Sequence, residues 1–147
     1  MEKAKLQERY QLFIGGQWKD ASAHETFKTI CPADGSVLAE CAQATKEDVD
    51  EAVKAAWEAF KTWKHTTVAE RAAVLNKIAA IIDENKEHLA MVESMDNGKP
   101  IRETTLVDVP LSSDHFRYFA GCIRADEGEA TMIDDCLLYT SPSPRDR

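Results

Sequence analysis

The run Asp96-Asn97-Gly98-Lys99-Pro100 constrains this chain more than any other stretch, because it stops one helix and starts another within a few residues. Leu89, Val92 and Met95 recur at i, i+3 and i+6, an apolar stripe that ends at Asn97-Gly98. Glycine supplies the left-handed backbone of a helix C-cap, and Pro100 blocks continuation two residues later. Helical periodicity then resumes. Val107, Leu111, Phe116, Phe119 and Ile123 are expected near one face of a second amphipathic helix, in which Pro110 must begin the main segment or kink it.

Upstream, the chain reads as strands followed by helices. Tyr10 to Ile14 and Gln17 to Asp20 flank Gly15-Gly16, a pair able to take the positive φ values of a tight hairpin. Thr26 to Ile30 and Val37 to Gln43 are two further strands, separated by the turn formers of Cys31-Pro32-Ala33-Asp34-Gly35. Thr45 with Asp48, and Thr67 with Glu70, have the spacing of capping boxes. The first opens a helix with Val49, Val53, Ala56, Trp57 and Phe60 on its apolar face. The second opens one carrying Val74, Leu75, Ile78, Ile81 and Ile82, with a break expected at Asp83-Glu84-Asn85.

Composition narrows the classes. A chain of 147 residues can bury about two thirds of its unfolded surface as one domain, but a piece whose faces were meant to meet absent strands falls short of that. Lys and Arg total 18 against 26 Asp and Glu, net −8, which argues against nucleic acid as a partner. Cys31, Cys41, Cys122 and Cys136 form no Cys-x-x-Cys pair, and His24, His65, His88 and His115 have no zinc-ligand spacing. No apolar stretch approaches the length of a membrane span and no secretory signal pattern opens the chain, so a cytoplasmic location with reduced thiols is expected.

Residues 136–147, Cys-Leu-Leu-Tyr-Thr-Ser-Pro-Ser-Pro-Arg-Asp-Arg, show neither helical nor strand period, and their two Ser-Pro pairs read as a mobile tail. The string also resembles a sequencing-library adapter translated in one frame. On that basis residues 1–135 are expected to be the natural portion and residues 136–147 a non-native tail.

The motifs Asp96 to Pro100, Arg102-Glu103-Thr104, Asp108-Val109-Pro110-Leu111 and Asp114-His115-Phe116-Arg117-Tyr118-Phe119-Ala120-Gly121 together resemble the N-terminal part of the aldehyde dehydrogenase superfamily. Leu12-Phe13-Ile14-Gly15-Gly16-Gln17-Trp18 and Cys31-Pro32-Ala33-Asp34-Gly35 resemble the same family in the same order. The likeness is strongest to bacterial NAD(P)-dependent acetaldehyde dehydrogenases and runs from about residue 10 to residue 135. It implies an α+β fragment of an α/β fold, N-terminal hairpins followed by amphipathic helices, whose Rossmann-like cofactor domain is incomplete here. It also implies a homo-oligomeric parent, a homotetramer or dimer, acting on a small aldehyde.

In that family a cysteine thiolate attacks the aldehyde, an asparagine and a backbone N–H stabilise the oxyanion, hydride passes to the nicotinamide, and a glutamate activates water. The motifs that carry those groups, Pro-Trp-Asn-Phe-Pro, Glu-Leu-Gly-Gly and Gly-Gln-x-Cys, do not occur in this sequence, nor does the Gly-Ser-Thr-x-x-Gly cofactor loop. No catalytic and no cofactor-binding residue is therefore assigned. Cys41, in an expected strand, and Cys122, near an expected apolar face, read as inert buried thiols. Asp114-His115 reads as an exposed pair, since neighbouring helical side chains diverge by about 100°.

Two site assignments follow from the resemblance alone. Family members hold a monovalent cation with backbone carbonyls from positions matching Thr29, Ile30 and Asp96, next to Cys31 where most relatives have asparagine. Positions matching Val107 and Leu111 line the wall of the aldehyde tunnel. The fragment by itself is expected to be inactive. The competing reading is a free-standing helical module that binds a partner protein without catalysis, and such a module should end in a helix or strand of its own.

Overall fold

The computed structural model describes residues 4–125 together with the backbone of 129–133 and 136–140. Its first strands split between two sheets. β1 (Arg9–Tyr10) pairs in parallel with β5 (Val37–Ala42), placing Tyr10 opposite Cys41, and β5 also pairs antiparallel with β4 (Thr26–Ile30), so the sheet order is β1-β5-β4. β2 (Leu12–Ile14) and β3 (Gln17–Lys19) form a separate hairpin. Gly15 and Gly16 take φ of 60° and 82°, the pair of left-handed residues that a two-residue hairpin turn demands. Across the hairpin, the Phe13 and Trp18 rings lie 4.9 Å apart between centroids.

The expected single strand from Tyr10 to Ile14 is thus two, interrupted at Gln11, whose Nε2 donates to Asp20 Oδ1 at 3.0 Å. Its first residue, Tyr10, is claimed by a parallel partner 31 residues away, and such a pairing leaves no local mark on the sequence.

Both capping boxes form. Thr45 Oγ1 accepts from Asp48 N–H at 3.3 Å while Asp48 accepts from Thr45 N–H at 2.9 Å, opening α1 (Lys46–Trp63). Thr67 and Glu70 make the same exchange at 3.2 and 2.7 Å to open α2 (Val68–Glu84). Asn85, at φ −107° and ψ 14°, then breaks the chain before α3 (Lys86–Asn97), at the end of the expected polar interruption.

Asp48 does more than cap. It is almost fully buried, and its carboxylate also accepts from Ser22 N–H and Oγ, tying the segment after β3 to the start of α1. The Thr45 backbone N–H foremost, with Ser22 and the Thr45 hydroxyl, holds this carboxyl below the ordinary 3.8 against the opposing effect of burial.

After α3 the chain forms α4 (Ile101–Glu103), a π-helical turn (Thr104–Asp108) and α5 (Val109–Cys122). α2 and α5 pack closely because the contact is built from small side chains, Ala72 and Ala79 on one helix and Ser113 and Ala120 on the other, all buried. An Arg117–Asp83 ion pair closes one end of that contact. Ser113 first, and then Arg117, keep the Asp83 carboxyl below its usual range.

The apolar face expected on α5 is divided. Val109, Ser113 and Ala120 face inward, whereas Leu111 and Phe119 are exposed with Tyr118 on the other side. The helix therefore has two apolar faces and only one is covered. The face expected on α1 is also uncovered: Val49, Val53 and Trp57 are all more than half exposed, and Trp57 meets Phe60 edge to face at 5.8 Å.

β6 (Glu129–Ile133) and β7 (Cys136–Thr140) pair antiparallel as a sheet of their own. The unpaired tail expected from Cys136 onward does not hold for Cys136–Thr140, where Leu-Leu-Tyr-Thr supplies residue types that favour strand. Residues 141–147 lie outside those described.

Candidate functional site

Three segments distant in sequence converge at the C-terminal end of α3. Gly98 adopts φ 79° as the helix C-cap and donates its N–H to Ser94 O at 3.1 Å. A Cβ at Gly98 would lie 2.9 Å from Pro32 Cγ, so the turn after β4 sits directly on the cap and the position requires glycine twice over. That turn is fixed from within by Cys31 N–H to Ser36 O at 2.9 Å, Gly35 N–H to Cys31 O at 2.8 Å, and Ser36 N–H to Asp34 Oδ1 at 2.9 Å.

This contact brings two of the three expected cation residues together. Thr29 Oγ1 donates to Asp96 Oδ1 at 2.6 Å across 67 residues of sequence. The pairing of β4 with β5 shifts register between Thr29 and Ile30, an irregularity that turns main-chain groups out of the ladder. The last carbonyls of α3, Asp96 among them, are those an α-helix leaves without an intrahelical donor. A bulged strand facing a helix C-terminus offers main-chain oxygens of the kind a hard monovalent cation takes, so these residues fit the group. Among the described residues, no cluster of three or more His, Cys, Asp or Glu side chains could hold a metal.

Thr29 and Asp96 also line a cavity of about 560 Å³ between the β1-β5-β4 sheet and the helices. Its walls are mainly apolar, with Tyr10, Leu38 and Cys41 from the sheet side and Ile82, Leu89 and Val109 from the helices. Its polar lining among the described residues comes from Tyr10, Thr29, Cys41, Glu93, Asp96 and Ser112. Cys41 lines it half-buried, and Cys31 is buried in the neighbouring turn.

Val107 and Leu111, the expected tunnel positions, are not part of this cavity. They lie on the exposed side of the π turn and α5, 48% and 47% accessible, beside Leu106 at 66%. The same segment sends Val109 and Ser112 toward the cavity, so it stands between the two surfaces. Cys122 differs from expectation as well. It is exposed rather than buried, and its thiol, next to the Tyr118 hydroxyl one turn earlier, raises the Tyr118 pKa. Asp114 and His115 are both exposed, as their adjacency on a helix required.

Sequence reasoning missed Lys99. Its Nζ lies 2.7 Å from Asp108 Oδ2 and 3.7 Å from Glu93 Oε1, and the Asp108 hydrogen bond foremost raises the lysine's pKa. Lys99 is itself oriented by its N–H, which Asn97 Oδ1 accepts at 2.8 Å. A nine-residue separation across a helix stop carries no periodic signal, although the lysine stands inside the most specific motif of the chain.

The Aldehyde dehydrogenase family profile matches residues 18–144. An aldehyde dehydrogenase of Deinococcus radiodurans is 50% identical over 133 residues, covering 90% of this chain and 26% of its own length. Acetaldehyde dehydrogenase 2 of Cupriavidus necator is 45% identical over 138 residues, covering 93% of this chain and 27% of its own. The structure of PnpE in complex with nicotinamide adenine dinucleotide superposes with a TM-score of 0.83 at 41% identity, over 86% of this chain and 26% of that one. This chain spans about a quarter of the length of these relatives. By sequence over most of its length and by the arrangement of its elements, the chain belongs to the aldehyde dehydrogenase family.

Proposed function

We propose that this chain is the N-terminal part of an enzyme that oxidises a short aliphatic aldehyde to the carboxylic acid with NAD or NADP, and that the chain alone is inactive. The observation that carries the reading is the superposition of its strands and helices on one quarter of an NAD-bound relative. The acetaldehyde activity named for the Cupriavidus relative supports a small aldehyde as substrate. The nucleophile, oxyanion asparagine, base and dinucleotide loop belong to motifs this sequence does not contain. Its residues do not fit a nicotinamide dinucleotide by themselves, and no chemical step is assigned to them.

The contribution of this segment is then structural and selective. Carbonyls of Thr29, Ile30 and Asp96 seat a monovalent cation, for which the strand bulge and the helix end give support. Val107 and Leu111 present an apolar surface to the alkyl part of the aldehyde, for which their exposure gives support. The parent works as a cytoplasmic homo-oligomer. A chimera tests the whole reading: residues 1–135 replace the matched segment of the Cupriavidus acetaldehyde dehydrogenase, and acetaldehyde-dependent NADH formation is measured. Activity retained supports it, and a soluble, folded chimera without activity contradicts it.

A second reading has one specific observation in its favour: the uncovered apolar face of α1, with Val49, Val53 and Trp57, is what a partner-binding module would show. In that case the isolated chain is a monodisperse monomer with a cooperative melt.

A further inference from the structure

The burial pattern between α4 and α5 contains an anomaly that only the π turn explains. Thr104 is fully buried, with Oγ1 2.9 Å from Ser94 Oγ and donating to Ile101 O at 3.1 Å, and Val109, five residues later, is buried too. In an unbroken α-helix residues five apart diverge by about 140° and could not share an inward face. The extra residue of the π turn removes that divergence, and Val109 N–H accordingly donates to Thr104 O. Val109, Ser113 and Ala120 then continue inward at α-helical spacing.

The same shift fixes what points outward. Leu106, Val107 and Leu111 straddle the junction and share the exposed side, so their mutual placement depends on the turn keeping its extra residue. Internally the turn is weak. Pro110, in the first turn of α5, has no N–H to donate back into it. Thr104 pins the turn from inside, Ser112 Oγ donates to the Asp108 carbonyl at 2.9 Å, and from outside Lys99, oriented by Asn97, binds the Asp108 carboxylate.

We propose that Lys99 is a positioning residue, a strap whose ion pair with Asp108 holds the π turn and thereby sets the wall that Leu106, Val107 and Leu111 present to the alkyl chain of an aldehyde. The assignment to an aldehyde rests on the proposed function; the strap itself rests on geometry. Leu106 joins the wall as its most exposed member. Through Gly98 and Pro32 the strap is anchored on the same turn that adjoins Thr29 and Asp96, so one short loop serves both the cation seat and the wall.

An exposed ion pair contributes little to global stability, which separates this role from a merely structural one. The first test is amide hydrogen exchange on the 147-residue chain. Lys99→Met speeds exchange of the Val109 amide about tenfold, Lys99→Arg restores it, and α2 amides do not respond. Lys61→Met, which breaks an exposed 2.7 Å pair with Glu58 on α1, leaves Val109 unaffected. No change at Val109, or an equal change throughout α2, overturns the strap.

The second test uses the chimera with acetaldehyde and hexanal. Lys99→Met raises the KM for hexanal about tenfold relative to that for acetaldehyde, and Lys99→Arg recovers the ratio. An unchanged ratio overturns the role at the wall. A chimera inactive with both aldehydes, while Val109 responds as stated, refutes the aldehyde reading and leaves the strap supported.

Discussion

Thr29 and Asp96, 67 residues apart, are joined by a 2.6 Å hydrogen bond from the threonine hydroxyl to the aspartate carboxylate. That bond docks the bulged end of β4 on the end of α3. Thr29→Val removes the donor while keeping the side chain's shape, and should cost about 1 kcal/mol, read as a lower urea midpoint with an unchanged slope. A variant as stable as the parent would show that the bond is replaced by water at no loss.

Gly98→Ala should be more damaging than its place in a loop suggests. The residue must hold φ 79°, and the new methyl group meets Pro32 Cγ at 2.9 Å. The left-handed conformation alone costs about 1–2 kcal/mol, and the clash adds to it. Pro32→Ala combined with Gly98→Ala should recover the steric part only, a coupling that a double-mutant cycle measures directly. Strict additivity would mean that turn and cap are not in contact.

Asp48 makes acid stability site-specific. Its folded pKa is depressed, so the stabilisation is present above the ordinary 3.8 and is lost as pH falls through that value toward the folded one. Asp48→Asn should melt lower than the parent at about pH 6, with the gap narrowing as pH falls below 3.8. A gap independent of pH would show that the side chain acts by packing alone.

The uncovered face of α1 should govern the behaviour of the isolated chain. Trp57 is 65% exposed beside Val53 and Phe60, and an apolar surface of that kind promotes association. Trp57→Gln with Val53→Gln should reduce self-association and binding of a hydrophobic dye without loss of helical dichroism. Equal association by the double variant would place the sticky surface elsewhere, the Leu106–Leu111 wall being the next candidate.

Elements whose causes are local were legible in the sequence. The two capping boxes, the Gly15-Gly16 hairpin and the Gly98 stop all formed where residue types demand special hydrogen bonds or positive φ. Features set by distant partners were not. The parallel pairing of Arg9–Tyr10, the division of α5 into a covered and an uncovered face, and the exposure of Cys122 depend on what packs against them. The π turn lay between. Pro110 announced a disturbance, but its form follows from Thr104 and Val109 both facing inward, and burial is not written in either residue's type.

For the candidate site, the resemblance named Thr29, Ile30, Asp96, Val107 and Leu111, and the structure separates them into two surfaces joined by the loop from Gly98 to Lys99. Lys99 and Leu106 emerged only from three-dimensional contacts and exposure.

The proposal that this chain is part of an aldehyde-oxidising enzyme whose reacting groups lie in other motifs is best tested by acetaldehyde-dependent NADH formation, measured for the 147-residue chain and for its chimera with the Cupriavidus relative. No turnover by the chain and clear turnover by the chimera are expected. Saturable NADH production by the chain alone, abolished by Cys122→Ser, would contradict the proposal.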